Sequence, residues 1–167
     1  TRAKMDLAQM PKGTGLFSRI DAVTGPDYTV LRIASPASVP IRAKGEGGLW
    51  TVSFGPGAGA EPAGVTVERD GEAQQAALTA AVAGATRVLW FDDPVIGDRV
   101  GAVTALAPNK GLAKKRQFVD LVLLPSVQGL AIEPRAQNLS VDVAGDLVRV
   151  GRPGGLALSS VSAAAAA

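Results

Sequence analysis

The chain has 167 residues with a net charge of +2, and it contains neither cysteine nor histidine. Its length suffices for one domain with an apolar core. Without Cys or His there are no disulfides, no zinc sites of the Cys/His type and no Ser-His-Asp or Cys-His catalysis, which argues against an enzyme. An aromatic content of 4% does not favour nucleic-acid binding. No apolar run reaches the roughly 18–20 residues of a membrane helix.

Residues 1–15 are predicted to form a short helix and a loop, because helix-forming residues precede Pro11. From residue 16 to 160, short Val, Leu and Ile runs alternate with Gly, Pro, Asp and Asn, which predicts a single all-β domain. The stretch "GPGAGAEPAG" places a lobe boundary, if one exists, near 55–64. The alanine-rich tail, 161–167, is set outside the fold, and with the missing initial Met it suggests a segment of a longer protein.

The clearest element is a hairpin in "LSVDVAGDLVRVG", with Gly145-Asp146 in a type II′ turn. In that register two valine pairs share one face, and Asp142 faces Arg149 on the other. The valine pairs are Val141 with Val150 and Val143 with Val148. A slip of one residue would lose both the apolar and the charge pairing, so the register is well specified.

Two further hairpins are predicted. One lies in "VPIRAKGEGGLWTVSF" around Glu46-Gly47, and it forms a weak repeat with the first hairpin. The other lies in "VTVERDGEA", with Asp70-Gly71 in a type I′ turn and Arg69 across from Glu72. The fold class is therefore all-β, with successive antiparallel hairpins in propeller-like blades and a β-sandwich as the alternative.

Three other segments complete the predicted elements. "EAQQAALTAAVAGA" has the propensity of a helix, but its setting between a turn and "TRVLWF" favours a strand, and both remain open. "FVDLVLL" is apolar at nearly every position, which predicts a central strand covered on both faces. "QGLAIEP" and "GGLALSS" are predicted to be short strands.

The stretch "FDDPVIGD" is the densest candidate for chemistry, with Asp92, Asp93 and Asp98 around a proline and a glycine. Its spacing does not match a calcium loop, which alternates oxygen ligands over a dozen residues. Adjacent Asp92 and Asp93 would point to opposite faces of a strand. The favoured interpretation is a strand end, a proline turn and a new strand. An ion site or a carboxylate-based hydrolase is the weaker alternative.

Four cations in "NKGLAKKRQ" form the candidate partner contact: Lys110, Lys114, Lys115 and Arg116. The plain alternative is a solvated loop whose charge keeps the end of a sheet soluble. Trp50 and Trp90 fall within strand patterns and are predicted to be core anchors. No catalytic residue, cofactor or metal ligand is predicted.

Turn residues and apolar positions of the chain resemble a recurring β-rich region of large alphaproteobacterial cell-envelope proteins that also carry tetratricopeptide repeats. The matched positions, across most of residues 28–160, are Asp93-Pro94, Gly97-Asp98, Gly129-Leu130, Val148, Val150 and Pro153-Gly154-Gly155-Leu156. The chain itself contains no such repeat. The resemblance implies a periplasmic, non-catalytic β module, and it carries over no catalytic residues.

The expected function is therefore a scaffold or protein-interaction segment of an envelope assembly, such as a flagellar motor, a pilus or a secretion machine. The expected partners are other protein subunits of that assembly, with no nucleic acid and no membrane span. A second hypothesis is a peptidoglycan- or glycan-binding β domain that uses Lys114, Lys115 and Arg116 together with exposed aromatic side chains.

Overall fold

The fold is all-β, as predicted, in a computed structural model that describes residues 8, 10, 13, 15–46, 48–57, 61–93 and 95–159. The strands are β1 (Arg19–Thr24), β2 (Thr29–Ala34), β3 (Ile41–Glu46), β4 (Leu49–Phe54), β5 (Ala63–Gly64), β6 (Val67–Asp70), β7 (Ala77–Ala81), β8 (Ala85–Asp92), β9 (Arg99–Ala105), β10 (Lys110–Gly111), β11 (Arg116–Gln117), β12 (Leu121–Leu124), β13 (Leu130–Pro134), β14 (Ser140–Ala144) and β15 (Leu147–Gly151). Most of the predicted N-terminal helix and the whole alanine-rich tail lie outside the described residues.

The chain divides into two compact units, one of residues 1–42 and 52–60, the other of 43–51 and 61–167. The division after residue 60 falls inside the 55–64 stretch that glycine and proline content marks as a boundary. No helix among the described residues has the length and apolarity needed to cross a bilayer.

The first unit contains the antiparallel pair β1–β2, in register from Arg19 opposite Ala34 to Thr24 opposite Thr29. The rings of Phe17 and Phe54 lie with their centroids 5.4 Å apart. An aromatic contact of this kind stabilises a small unit beyond the apolar area that the two rings bury.

The strands β3 and β4 form a two-stranded sheet, so the second predicted hairpin is present. Glu46 is the last residue of β3 and Leu49 is the first of β4, so the turn lies one residue later than Glu46-Gly47. A Cβ atom on Gly45 would lie 3.0 Å from the Trp50 ring. The close approach of the indole requires a glycine inside β3.

The largest sheet of the second unit is five-stranded, with the order β11-β12-β13-β9-β8, and its neighbouring strands are antiparallel. The predicted strand end and new strand on either side of "FDDPVIGD" are confirmed, since β8 pairs with β9 from Ala85 to Asp92. β12 lies between β11 and β13, and Leu121, Val122 and Leu123 are at most 1% exposed. The buried strand predicted in "FVDLVLL" is therefore present over Leu121–Leu124, whereas residues 118–120 are not in a strand and Val119 is 46% exposed.

The second sheet of this unit is four-stranded, with the order β14-β15-β7-β6. Its β14–β15 hairpin has the predicted register, with the two valine pairs and Asp142 opposite Arg149. Gly145 has a φ of 59° and Asp146 is not among the residues of positive φ, as a type II′ turn requires. Local pairing rules were sufficient to predict this register, because the apolar pairs, the charge pair and the turn residues all favour it.

Two local predictions were wrong. Asp70 pairs with Ala77, so β6 and β7 are joined by a longer connection that includes a 3₁₀ turn at Ala73–Gln75, not by a two-residue turn. The strand predicted in "GGLALSS" is absent over residues 154–159. There Leu156 and Leu158 are buried and the backbone bonds irregularly, with the Leu156 N–H donating to the Ala76 carbonyl at 2.8 Å.

Both large sheets contribute to one apolar cluster. Its fully or nearly fully buried side chains include Leu78, Val82, Val103, Leu121, Leu123, Leu130, Ile132, Val148 and Val150. Burying a side chain of this size stabilises the fold by roughly 1.5–3 kcal/mol relative to exposure. The cluster therefore fixes the strands that carry the candidate sites.

Candidate functional site

The acidic stretch around Asp93 is a turn. The Asp93 Oδ1 atom accepts the N–H of Val95 at 2.8 Å and that of Ile96 at 3.0 Å. The Asp93 N–H donates to the Asp98 carbonyl at 2.8 Å, which closes the loop between β8 and β9. No three His, Cys, Asp or Glu side chains of the described residues converge to hold a metal ion. Asp93 thus acts as a backbone acceptor, as the turn interpretation predicts.

The four cations of the predicted partner contact do not share one environment. Lys110 is 8% exposed, and its Nζ donates to the carbonyls of Ala83 at 2.7 Å and Leu106 at 3.1 Å. An ammonium buried in this way needs internal acceptors to offset its desolvation. Lys110 therefore belongs to the interior of the fold, and its inclusion in a surface contact requires correction.

Gln128 extends the polar network around Lys110. Its Oε1 atom accepts the backbone N–H of Lys110 at 3.1 Å, and its Nε2 donates to Ala105 and Leu106 at 2.9 Å each. Sequence inspection could not detect this network, because the loops that supply its carbonyls are far apart in the chain.

Arg116 links the edges of the two large sheets. It lies in the edge strand β11, and its Nη1 donates to the Val67 carbonyl of the edge strand β6 at 3.0 Å. Lys114 and Lys115 are exposed in the segment between β10 and β11. The predicted group of four is thus reduced to two exposed lysines beside an arginine that already binds a carbonyl.

The tryptophans have different roles. Trp50 is 44% exposed, so its prediction as a core anchor was wrong. Trp90 is half-buried and packs against the apolar cluster, which confirms its prediction. Trp90 also lines a cavity of about 420 Å³, which was not foreseen. The other residues of this cavity are Arg99, Pro134, Arg135, Ala136, Gln137, Asn138 and Leu139.

Trp90 and Arg99 form a stacked pair at this cavity. The guanidinium carbon of Arg99 lies 4.9 Å from the centroid of the Trp90 ring. A Cβ atom on Gly101, which pairs with Trp90 across β8 and β9, would come within 2.8 Å of the same ring. The glycine lets the indole lie against the sheet, and the indole holds a guanidinium group at the cavity.

The loop that forms the rest of this cavity is anchored by Asp120. Its backbone carbonyl accepts the N–H groups of Arg135 at 2.8 Å and Ala136 at 2.9 Å. Its carboxylate, in a residue only 6% exposed, accepts from Arg152 at 3.1 Å and from the Ala157 N–H at 2.7 Å. One buried residue thereby positions both the cavity loop and the segment after β15.

A second cavity, of about 340 Å³, lies at the opposite edges of the sheets, on β6 and β11. It is lined by Val67, Arg69, Leu78, Arg116, Gln117 and Phe118. Both arginines already bind backbone carbonyls, since Arg69 donates to Leu158 and Arg116 to Val67. Its charged groups serve the fold, which makes the Trp90 cavity the better candidate site.

No family model, curated protein or solved structure matches the chain.

Proposed function

We propose that the chain is a non-catalytic β module of the periplasm, a scaffold or protein-interaction segment within a larger cell-envelope assembly. The exposed β3–β4 hairpin supports the interaction role. Leu49 is 70% exposed and Trp50 is 44% exposed, on successive positions of β4 and hence on opposite faces. Among the described strands, β3 and β4 pair only with each other. A two-stranded sheet with apolar residues on both faces gains stability when a partner covers it.

The partner in this proposal is another protein subunit. Trp is enriched among the side chains that dominate protein–protein binding. The indole of Trp50 lies against Gly45 of the neighbouring strand. This packing limits the conformations of the side chain, which lowers the entropy that is lost on association. The location and the kind of assembly rest on the family resemblance alone.

Site-specific photo-crosslinking in native cells tests this function. Replacing Trp50 by p-benzoylphenylalanine should yield a specific crosslink to an envelope protein, and adding Leu49→Asp should abolish that crosslink. The matched control carries the same amino acid at exposed Glu68 of β6 and should give no such product. Equal products from both positions, or none from Trp50, would contradict the proposal.

A peptidoglycan- or glycan-binding β domain is the alternative function, supported by the exposure of Lys114 and Lys115. Co-sedimentation with purified sacculi tests it. Lys114→Glu with Lys115→Glu should abolish pelleting, whereas Lys44→Glu, at an exposed lysine on β3, should not. The hydrolase alternative has no comparable support, because the Asp93 carboxylate serves as a turn acceptor.

For the architecture, we propose a β-sandwich in preference to propeller-like blades. A propeller blade is built from successive strands, whereas the four-stranded sheet combines β6 and β7 with the distant β14 and β15. The five-stranded sheet contributes to the same apolar cluster as the four-stranded sheet. Two sheets that share one core are typical of a sandwich.

A further inference from the structure

The Trp90 cavity has the composition of a site for a small anionic ligand. Arg99 and Arg135 both line it, together with the polar residues Gln137 and Asn138. Its volume, about 420 Å³, is within the range of small-molecule sites. The nearby Glu133 carboxylate lies 3.7 Å from the Arg135 Nε, on a side chain that is 45% exposed. This ion pair is long and its arginine is exposed, so it contributes little, and a ligand carboxylate can compete with Glu133 for Arg135.

Arg99 is arranged to bind a carboxylate. A guanidinium group presents two parallel N–H donors, which match the two oxygens of a carboxylate. Stacking on Trp90 at 4.9 Å limits the conformations of this side chain before any ligand arrives. The conformational cost of binding is therefore reduced.

The remaining lining favours a sugar as the carrier of that carboxylate. Gln137 and Asn138 supply both hydrogen-bond donors and acceptors, which suit hydroxyl groups. Pro134, Leu139 and the edge of the Trp90 ring supply an apolar surface for the C–H groups of a pyranose. We propose that this cavity binds a carboxylated sugar, with Arg99 as the principal carboxylate ligand and Arg135 as the second.

This proposal is independent of the interaction role of the β3–β4 hairpin and of the lysines between β10 and β11. The cavity belongs to β8, β9 and the loop between β13 and β14. The Asp120 carbonyl accepts two backbone hydrogen bonds from the start of that loop, at Arg135 and Ala136.

Tryptophan fluorescence tests the proposal directly. The chain has two tryptophans, so Trp50→Phe leaves Trp90 as the single reporter. In that background, cellobiouronic acid should change the Trp90 emission saturably. Cellobiose, which lacks only the carboxylate, should bind at least roughly tenfold more weakly. The dipeptide Glu-Glu, a carboxylate without a sugar, should also bind more weakly.

Substitutions inside and outside the cavity test whether binding depends on the two arginines that line it. Arg99→Gln should weaken cellobiouronic acid binding by roughly tenfold or more, and Arg135→Gln by a smaller factor. The control Arg149→Gln removes a similarly exposed arginine of β15 and should leave binding unchanged. Lys114→Gln with Lys115→Gln should also leave it unchanged.

Circular dichroism and the thermal midpoint establish that Arg99→Gln is folded. If that variant fails to fold, the ratio of cellobiouronic acid to cellobiose binding in the Trp50→Phe protein decides the question alone. Equal binding of the two disaccharides, tighter binding of Glu-Glu, or no saturable change with any probe would overturn the proposal.

Discussion

At the scale of single residues, three polar side chains singled out in the sequence hold backbone groups in place. Asp93 accepts two N–H groups in its turn, Lys110 donates to two carbonyls, and Arg116 donates to one. Their charge suggested a surface site or a partner contact. Their burial and hydrogen-bond partners depend on where distant loops lie in the fold, and the local sequence pattern does not predict those positions. The turn of Asp93 was predictable, because all its hydrogen bonds lie within the same few residues.

Asp93→Ala should lower the free energy of unfolding by about 1–2 kcal/mol, since two backbone N–H groups lose their acceptor. Asp98→Ala is the control, because Asp98 contributes its backbone carbonyl to the turn. Urea denaturation followed by circular dichroism measures both changes. Equal losses in the two variants would show that the carboxylate of Asp93 does not hold the turn.

Lys110→Met retains much of the buried stem but removes the ammonium from the carbonyls of Ala83 and Leu106. The expected loss is about 2 kcal/mol, because two part-buried hydrogen bonds from a charged group are removed. Lys115→Met, at an exposed position, should stay within about 0.5 kcal/mol of the parent protein. Chemical denaturation of the three proteins tests the difference, and a neutral effect of Lys110→Met would contradict the structural role.

At the scale of elements, predictions were correct where one short segment contains all the relevant information. The β14–β15 hairpin satisfies apolar pairing, charge pairing and turn chemistry at once, and its register follows. The β6–β7 connection was missed, because Asp70-Gly71 resembles a tight turn while the actual pairing of Asp70 is with Ala77. The Trp90 cavity was missed because its residues come from the β8–β9 hairpin and from a distant segment, the end of β13 and the loop that follows it.

Gly145→Ala should destabilise the fold by about 1–2 kcal/mol, the cost of a left-handed conformation for a residue with a Cβ atom. No atom lies within 4 Å of a Cβ added there, so the cost is one of backbone conformation. Gly64→Ala, also in open space but without positive φ, is the matched control and should be nearly neutral. Thermal denaturation compares the two, and similar shifts in both would contradict a type II′ requirement at Gly145.

At the scale of the whole second unit, Asp120 ties the cavity loop and the segment after β15 to the end of the five-stranded sheet. Asp120→Ala should cost about 3 kcal/mol, because it leaves the Ala157 N–H and the Arg152 guanidinium without their carboxylate. In a double-mutant cycle with Arg152→Ala, the coupling energy should be clearly above zero. Additive losses would show that the ion pair makes no contribution of its own.

The four-stranded sheet has a consequence for synthesis on the ribosome. β7 pairs with β6, which precedes it, but its other neighbour is β15, near the end of the described chain. Until β15 has emerged from the exit tunnel, one edge of β7 has no partner and Leu78 and Ala80 lack part of their cover. Nascent chains in this interval expose the kind of unpaired apolar strand that chaperones bind.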